Sequence, residues 1–410
     1  MSKRLIFHVD INSAFLSWEA TRRVAMGEPD LRLIPSVVGG DPSNRTSIVT
    51  AKSIPAKKYG IYTGEPVSMA LRKCPELVVV RSDFELYVRS SRAFKAICQS
   101  YTPDMESFSI DEVFMDMSGM ELLYPDPLAL AHEIKDRIKN ELGFTCNVGI
   151  GYNKLCAKMA SDFEKPDRVH TLFPEEIETK MWPLPVGELF GCGKSTAARL
   201  NAIGINTIGD LAHLDMDSLL SVAGDKSAAY LHRAARGIDD SPVVSEPEEA
   251  KGYSAETTVE ENITELTKLQ RILLAQADVV ASRLRAKGVK CGCVCVKYRD
   301  SNFKNKSHQR KLTDSTDVTD IIYRTAEELI SECWTGEPVR LIGLSLTDID
   351  DGEYEQMSFI VDEKKEKLKK LDSAMDSIRM KFGNDSVQRA STIDVEGRIN
   401  RRHKAEQQNI

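Results

Sequence analysis

Two adjacent carboxylates, Asp111 and Glu112, lie inside the apolar and β-prone run SFSIDEVFMDM at 107–117. Burying a carboxylate costs free energy unless a cation or hydrogen bonds compensate it. Neighbouring residues on a flat strand point to opposite faces, so the pair can share a ligand only where the chain bends, as in a hairpin. A third acid, Asp10, ends the predicted first strand. Three converging carboxylates would suit hard divalent cations such as Mg²⁺, and two such ions roughly 3.5–4 Å apart support phosphoryl transfer.

An exposed structural turn is the alternative explanation for Asp111 and Glu112, because acids are common at turns. The apolar residues on both sides of the pair, together with Asp10, favour the buried cluster.

The residues after Asp10 predict a helix whose first turn would favour phosphate. Asn12 and Ser13 are good N-caps, and SAFLSWEATRRVAM follows with helical periodicity. Backbone N–H groups at a helix N-terminus attract anions, and here they belong to Asn12, Ser13, Ala14 and Phe15.

The elements that would position these groups alternate along the first 170 residues. LIFHVDI, SIVTAKS, LVVVRSD, FSIDEVFMDMS and FTCNVGIGY predict strands, and helical patterns separate most of them. IPAKKYGIYTGEPV contains Pro and Gly and predicts a turn region. This order predicts an α/β or α+β layered fold in which helices cover a sheet.

The rest of the chain changes character twice. Residues 173–237 predict short helices joined by Gly turns, and the acidic, proline-containing segment 239–252 predicts a solvated linker. A second α+β unit starts at Tyr253. After Asp351 comes a charged tail with one amphipathic helix, whose apolar residues are Leu368, Leu371, Met375, Ile378 and Phe382.

Composition indicates a globular protein of two to four domains, given the 410 residues. The sequence contains no stretch of about 18 apolar residues, so it predicts no membrane-spanning helix. His8 and Asp10 interrupt the first apolar run, which therefore does not resemble a signal peptide. The nine cysteines are scattered, and the alternating Cys291, Cys293 and Cys295 lack zinc-site spacing. Reduced core thiols in a cytoplasmic protein are the simplest interpretation.

Basic residues concentrate in one stretch, although the formal net charge of the chain is −7. Between 283 and 311 one acid, Asp300, faces ten basic residues: Arg283, Arg285, Lys287, Lys290, Lys297, Arg299, Lys304, Lys306, Arg310 and Lys311. Such a run is often only a solvated surface. Spread over a helix end, a strand and the next loop, it predicts a patch that follows a phosphate backbone.

The segment FGCGKST, at 190–196, is not a Walker A loop, because Glu188 stands where that loop needs its first glycine. A turn with Gly191, Gly193 and Lys194 between two short helices instead predicts a helix-hairpin-helix, whose N–H groups bind a DNA phosphate without reading sequence. LLSVAGDKSAAYLHRAARG resembles a degenerate second copy. An ordinary helix–helix turn is the alternative.

Four segments in order, HVDINSAF, SIDEVFMDMS, VGIGYNKLCAKMASDFEKP and ELFGCGKSTAARLNAIGINTIGDL, resemble Y-family translesion DNA polymerases of the DinB type. The resemblance runs from about residue 5 to about 350 and implies a multidomain α+β right-hand polymerase. It implies these parts: a palm at 1–13 and 80–172, fingers at 14–79, a thumb at 173–240, a linker at 241–252, a little finger at 253–350 and a tail at 351–410.

The same resemblance implies low-fidelity, template-directed synthesis by a two-metal-ion mechanism without proofreading. Asp10, Asp111 and Glu112 would be catalytic and, with the Ile11 backbone carbonyl, would hold two Mg²⁺ ions. Phe15 would be the steric gate against ribonucleotides, although a core role in its helix is the alternative. The resemblance further implies nucleotide binding by Asn12, Ser13, Ala14, Phe15, Lys57 and Lys165. For DNA binding the predicted set is Gly191, Gly193, Lys194, Arg283, Arg285, Lys297, Arg299, Lys304, Lys306 and Arg310.

The triphosphate-binding segment departs from the family pattern. Relatives typically have Tyr-Pro-Ala-Arg-Lys-Phe-Gly where this chain has IPAKKYG. Ile54 replaces the tyrosine and Lys57 replaces the arginine, so the charge stays but the bidentate fork is lost. We expect weaker nucleotide binding than in relatives that have both residues.

The predicted partners are primer-template DNA, deoxynucleoside triphosphates and a bacterial sliding clamp, with the protein as a monomer away from membranes. EQMSFI resembles a clamp-binding peptide, whose anchors would be Gln356, Met357, Phe359 and Ile360. Three alternatives stay open from the sequence: a UmuC-like branch that needs partner proteins, a catalytically silent DNA- or clamp-binding scaffold, and a palm-type nucleotidyl cyclase.

Deleting residues 356–360 should lower clamp-stimulated primer extension and leave clamp-free extension unchanged, because only the docking peptide is removed. The two activities are measured side by side on the same primer-template. Equal loss of both activities, or stimulation that survives the deletion, would contradict the assignment of this peptide.

Overall fold

The computed structural model of the protein describes residues 4–246, 249–350 and 363–393. It divides the chain into two compact units, the first formed by 1–42 and 47–247 and the second by 43–46 and 248–410. Within the described ranges no helix is long and apolar enough to cross a membrane. The predicted clamp peptide lies outside the described residues, and the division into palm, fingers, thumb and little finger stays a prediction.

The first unit alternates strands and helices up to residue 172. Its elements there are β1 (Ile6–Ile11), α1 (Ala14–Ala25), β2 (Ser36–Gly39), β3 (Val49–Lys52), α2 (Ile54–Lys57), α3 (Val67–Lys73), β4 (Val78–Arg81), α4 (Phe84–Gln99), β5 (Met105–Ser107), β6 (Glu112–Asp116), α5 (Pro127–Leu142), β7 (Cys146–Gly151), α6 (Lys154–Asp162) and β8 (Val169–Leu172). Short helices follow: α7 (Lys194–Ala202), α8 (Ile208–His213), α9 (Met216–Ala223) and α10 (Asp225–Ala234).

The main sheet of the first unit has the strand order β5-β6-β1-β7-β8. The central strand β1 is antiparallel to both neighbours and is buried throughout. Its odd-numbered residues, Phe7, Val9 and Ile11, enter a core shared with α1, α4 and α5. Because side chains alternate along a strand, Ile6, His8 and Asp10 point to the other face, where α6 lies.

Glycines on β7 let α6 lie directly on the sheet. A Cβ on Gly149 would stand 2.0 Å from the carbonyl oxygen of Ala157, and a Cβ on Gly151 would stand 2.6 Å from the nitrogen of Ala157. No side chain fits such a gap, so the absence of a Cβ fixes how near α6 approaches the face that carries Asp10.

A smaller sheet, β3-β2-β4, follows α1 in the chain. Its strand β2 was not predicted, and part of the predicted turn region is the short helix α2. The Ser53 hydroxyl accepts a hydrogen bond from the Ala56 N–H, and Pro55 stands in the first turn. A serine cap followed by proline is a helix-start signal, which the turn interpretation overlooked.

The first half of the predicted linker contacts the sheet through the half-buried Val243, while Asp240, Ser241, Pro242 and 244–246 are exposed. Val243 packs against Ile6, Phe114 and Ala157 on the α6 face of the sheet. Glu106 accepts a hydrogen bond from the Val244 N–H at 2.9 Å. The acidic composition of the segment indicated solvent exposure. The Val243 side chain and the Val244 N–H nevertheless attach the segment to the sheet.

The second unit is an α+β layer. Its elements are β9 (Tyr253–Ile263), α11 (Leu266–Lys287), β10 (Lys290–Asp300), β11 (Asn305–Thr316), α12 (Thr319–Cys333), β12 (Val339–Asp350) and α13 (Glu363–Phe382). The sheet order is β11-β10-β12-β9, with all neighbours antiparallel. Val294, Val296, Ile342 and Leu344 form the core with α11 and α12, and the other sheet face carries polar side chains.

Helix α13 forms where an amphipathic helix was predicted, but charged residues attach it to α11. Of its predicted apolar residues Met375 is buried, whereas Leu371, Ile378 and Phe382 are 48%, 41% and 68% exposed. Arg285 of α11 instead contacts Asp376 at 2.6 Å and Asp372 at 3.4 Å. The remaining pairs of this ionic cluster are Asp278–Arg379, Asp278–Arg389, Asp372–Arg389 and Asp376–Arg379. The helical periodicity of the leucines gave no information about the polar partners on α11.

Replacing Arg285 by alanine should release α13, because the buried carboxylate of Asp372 would lose a cationic partner. Breaking such a pair costs about 3 kcal/mol or more. Hydrogen exchange of backbone amides at 363–382 should therefore become about 100-fold faster in the full chain. Lys287→Ala, at the exposed end of α11, is the matched control. Unchanged exchange in Arg285→Ala would show that other contacts hold α13.

Candidate active site

A hairpin separates the two adjacent acids. β5 and β6 are joined by residues 108–111, and the N–H groups of Phe108 and Ser109 both donate to the Glu112 carbonyl at 3.2 Å. Asp111 is therefore the last turn residue, and Glu112 is the first residue of β6. The strict alternation of a flat strand does not apply at such a bend, as the hairpin interpretation required.

The register of β1 and β6 brings Glu112 directly opposite Asp10. The Asp111 carbonyl accepts a hydrogen bond from the Ile11 N–H at 3.0 Å, which extends this pairing by one residue. The Ser109 hydroxyl lies 2.7 Å from Asp111 Oδ1 and 3.4 Å from Glu112 Oε2. The structure thus brings the three predicted acids to one end of two neighbouring strands.

Two lysines compensate the carboxylates. Lys158, on α6, places Nζ within hydrogen-bonding distance of Glu112 Oε1 and 3.4 Å from Asp10 Oδ2. The Nζ of Lys165 lies 2.6 Å from the same Asp10 oxygen. Lys165 was a candidate site residue, whereas Lys158 was missed. The only sequence signal for Lys158 was a lysine among the otherwise apolar residues of CAKMA.

Burial dominates the electrostatics of this cluster. It raises the pKa of Glu112, and the neighbouring ammonium of Lys158 partly opposes the increase. Burial by itself would lower the pKa of Lys158, but Asp10 and Glu112 outweigh it and raise that pKa. The charged acids and the lysine therefore depend on each other.

A divalent cation fits the donor chemistry of the cluster. Asp10, Asp111 and Glu112 offer hard carboxylate oxygens, and a cationic group already lies where two of them converge. Across the part of the chain that the structure describes, no three His, Cys, Asp or Glu side chains stand close enough together to ligate a metal on their own. The Lys158 ammonium stands between Asp10 and Glu112, so these acids meet through a cation rather than directly.

The start of α1 differs in one detail from the expectation. The Asn12 N–H donates to the Thr145 carbonyl at 3.0 Å, so it does not face a ligand. The Asn12 side chain instead makes structural hydrogen bonds. Its Nδ2 donates to Asn147 Oδ1, and its Oδ1 accepts from the Asp167 N–H. Ser13 adopts a left-handed conformation with φ 46°, and its side chain makes no capping bond. Ala14 is the first residue of the helix.

Phe15 is half-buried at the start of α1. Its ring stacks on Tyr87 with a centroid distance of 4.6 Å and contacts Trp18 at 5.8 Å. Aromatic neighbours fix the ring while part of it stays accessible. A rigid, partly exposed ring is compatible with both the steric-gate and the core interpretation.

The segment that departs from the family pattern presents two lysines. Lys57 is exposed at the end of α2, and Ile54 at its start is 57% exposed. Lys52, at the end of β3, was not predicted. Burial and then the nearby Lys57 ammonium lower the pKa of Lys52. Lys52 and Lys57 thus bring two ammonium groups near each other, a feature that a search for the family arginine alone does not find.

The Gly-x-Gly turn precedes α7. Gly191 has φ +86°, and a Cβ there would stand 2.4 Å from the Tyr230 ring, so this position requires glycine. Gly193 has open space around its missing Cβ, and Lys194 begins α7. In the suspected second copy, Gly224 joins α9 to α10. Two α-helices therefore flank the second turn, whereas the first turn follows a three-residue 3₁₀ helix, Val186–Glu188, and leads into α7.

The basic stretch is divided between the two faces of the second sheet. Lys297 and Arg299 alternate with the buried Val296 and Tyr298 and so lie on the face without helices. The exposed Lys304 is in the loop after β10.

Three of the residues predicted to contact DNA have acidic partners in the structure. Arg285 belongs to the ionic cluster with α13, and its side chain is 12% exposed. Lys306 pairs with Glu337, and Arg310 pairs with Glu328 and Glu332 beside α12. Arg283 donates to the Ser254 carbonyl at 3.0 Å. Counting basic residues along the sequence does not show on which face of the second sheet each of them lies.

The fold and the acidic cluster define the class of a right-hand DNA polymerase. A solved chimeric Y-family DNA polymerase, built from Dbh and Dpo4, superposes with a TM-score of 0.72 over 84% of this chain and 99% of its own, at 22% identity. Residues 9–162 match the impB/mucB/samB family, 250–359 match its C-terminal domain, and 187–239 match the DNA polymerase-iota thumb domain. The predicted fold class is confirmed.

The chain belongs to the Y family of DNA polymerases, of the DNA polymerase IV type. DNA polymerase IV of Clostridium acetobutylicum is 42% identical over 97% of this chain and 100% of the relative. DNA polymerase IV of Clostridium kluyveri is 35% identical over 95% and 98%. DNA polymerase IV 2 of Bacillus subtilis is 34% identical over 97% and 96%. The protein is thus a DNA-directed DNA polymerase of the translesion class, which decides against the scaffold and the cyclase.

Lys57→Arg should lower the KM for the incoming nucleotide about fivefold, because an arginine fork adds roughly one net hydrogen bond of about 1 kcal/mol to phosphate. Single-nucleotide incorporation measures the effect, with Lys58→Arg as the control at the adjacent exposed lysine. A KM that is unchanged or higher in Lys57→Arg would count against triphosphate contact by this residue.

Proposed function

We propose that Asp10, Asp111 and Glu112 form the two-metal-ion nucleotidyl-transfer centre of this polymerase. The observation that carries the proposal is the direct pairing of Asp10 with Glu112 across β1 and β6, with Asp111 in the adjoining turn. Asp10, the Ile11 carbonyl, Asp111 and Glu112 would hold the ions. When bound, two Mg²⁺ ions activate the primer 3′-hydroxyl and stabilise the leaving pyrophosphate.

The chain's own residues prepare the substrate. The triphosphate would be attracted by Lys165 and by Lys57, and Lys52 lies near Lys57. Ser13, Ala14 and Phe15 would border the sugar, and the Phe15 ring would exclude a ribose 2′-hydroxyl. The stack on Tyr87 supports this role, because a ring that discriminates by shape must not move aside.

DNA would be held by non-specific contacts in both units. In the first unit, Gly191, Gly193 and Lys194 would direct backbone N–H groups to a phosphate, and open space surrounds Gly193. In the second unit, Lys297, Arg299 and Lys304 are the proposed contacts, and Arg283 of α11 is kept from the predicted set. Lys297 also pairs with Glu256 at 3.2 Å, but on the open face of the sheet. Arg285, Lys306 and Arg310 are omitted because they lie on the helix side, where Asp376, Glu337 and Glu328 engage them.

The remaining parts of the proposal follow from the family. The segments named above would act as palm, fingers, thumb and little finger, and synthesis would proceed without proofreading. We infer a cytoplasmic monomer, which the nine free cysteines support. Binding to a sliding clamp through Gln356, Met357, Phe359 and Ile360 completes the proposal.

Primer extension with Mg²⁺ tests the centre. Asp111→Ala and Glu112→Gln should each reduce the rate on the order of 10³-fold, because a charge that stabilises the transition state is lost. Asp217→Asn, an exposed acid on α9, is the control and should match the wild type. Near-normal extension by either active-site variant would refute the assignment of these acids.

The double change of Lys297 and Arg299 to alanine should weaken template binding and reduce its salt dependence. Each lost phosphate contact lowers the slope of log K against log salt by about 0.9. Fluorescence anisotropy over a salt series measures both quantities. Arg310→Ala is the matched control, because Arg310 lies opposite the buried Val294 and therefore on the sheet face that carries α12. The open-face assignment is wrong if Arg310→Ala reduces the slope as much as the double variant does.

A further inference from the structure

The carboxylate of Asp162 touches both lysines of the active-site cluster. It is the last residue of α6, one helical turn after Lys158, and its Oδ2 lies 3.4 Å from Lys158 Nζ. Its Oδ1 lies 2.7 Å from the Nζ of Lys165. Each of the two lysines thus contacts both Asp162 and Asp10, and Lys158 also contacts Glu112.

Lys158 and a divalent cation would compete for the same carboxylates. The ammonium approaches Asp10 Oδ2 and Glu112 Oε1, so it already engages both of these acids. Two cationic groups beside the same carboxylates repel each other strongly in a buried site. Cation binding therefore requires the ammonium of Lys158 to move.

The backbone of α6 leaves little room for that movement. Gly149 and Gly151 hold the helix against β7 at a distance that no side chain would permit. The displacement must therefore come from rotation of the lysine side chain. Asp162, on the same helix and 46% exposed, is an acceptor already within reach.

We propose that Lys158 and Lys165 exchange partners, neutralising Asp10 and Glu112 in the cation-free enzyme and moving to Asp162 when a divalent cation binds. The proposal rests on the metal centre proposed above. Asp162 is in this view a positioning residue that sets cation affinity without ligating the ion. With this exchange, the negative charge of the buried acids has a cationic partner both before and after the divalent cation binds.

Mn²⁺ titration of the full chain without DNA and nucleotide tests the exchange, with free Mn²⁺ followed by electron paramagnetic resonance. Asp162→Asn should raise the Kd on the order of tenfold, since the lysines lose their second partner and stay on Asp10 and Glu112. Asp162→Glu should restore most of the affinity. Glu164→Gln is the matched control, because it removes a neighbouring exposed charge that contacts Arg168 and neither lysine.

Lys158→Gln should have the opposite effect. Without the competing ammonium, Mn²⁺ should bind more tightly than in the wild type, and Asp162→Asn should have a smaller effect in this background. The Tm of Lys158→Gln in EDTA should fall and recover on addition of Mn²⁺. Asp162→Asn alters an exposed side chain, so it still decides the question if Lys158→Gln does not fold.

Three results would overturn the exchange: wild-type Mn²⁺ affinity in Asp162→Asn, an equal loss in Glu164→Gln, or weaker binding in Lys158→Gln. The variant Glu112→Gln distinguishes refutation of the lysine exchange from refutation of the proposed metal centre itself. If Glu112→Gln binds Mn²⁺ like the wild type, both the centre and the exchange are refuted. If Glu112→Gln loses binding while Asp162→Asn does not, only the exchange is refuted.

Discussion

The structure of the active-site unit depends on the electrostatic cost of bringing three carboxylates together at the end of a buried sheet. Asp10 and Glu112 face each other across β1 and β6, and Asp111 follows in the turn. Like charges at such distances are unfavourable in a desolvated site unless cations lie between them. Lys158 and Lys165 supply that compensation, so the acids can stay charged at the end of a buried sheet.

The packing around the cluster follows from this need. α6 must come close enough for Lys158 to reach two acids, and Gly149 and Gly151 permit that approach. The opposite face of β1 is an ordinary apolar core with α1, α4 and α5. One strand thus separates a hydrophobic layer, which provides stability, from a charged layer, which provides chemistry.

In the second unit, partner choice divides a run of similar charges into different roles. Arg285 stabilises the attachment of α13, and Lys306 and Arg310 pair with acids beside α12. Lys297 and Arg299 lie on the sheet face that carries no helix. An internal ion pair neutralises a charge that a count along the sequence treats as available, so that count overestimates the positive charge that the folded unit presents.

The sequence by itself determined the family, the order of most strands and helices, and the three acids, because periodicity and adjacent motifs are local properties of a chain. It missed β2 and α2, which are four residues each and leave almost no periodicity to read. It also missed the long strands β9 and β11, and β11 lies where a loop was predicted after β10. Only the tertiary structure decided that Lys158 reaches Asp10 from 148 positions away. It likewise decided which acids pair with Arg285 and that Val243 packs against the sheet. These outcomes depend on which face and which distant partner each side chain meets, and folding alone brings such partners together.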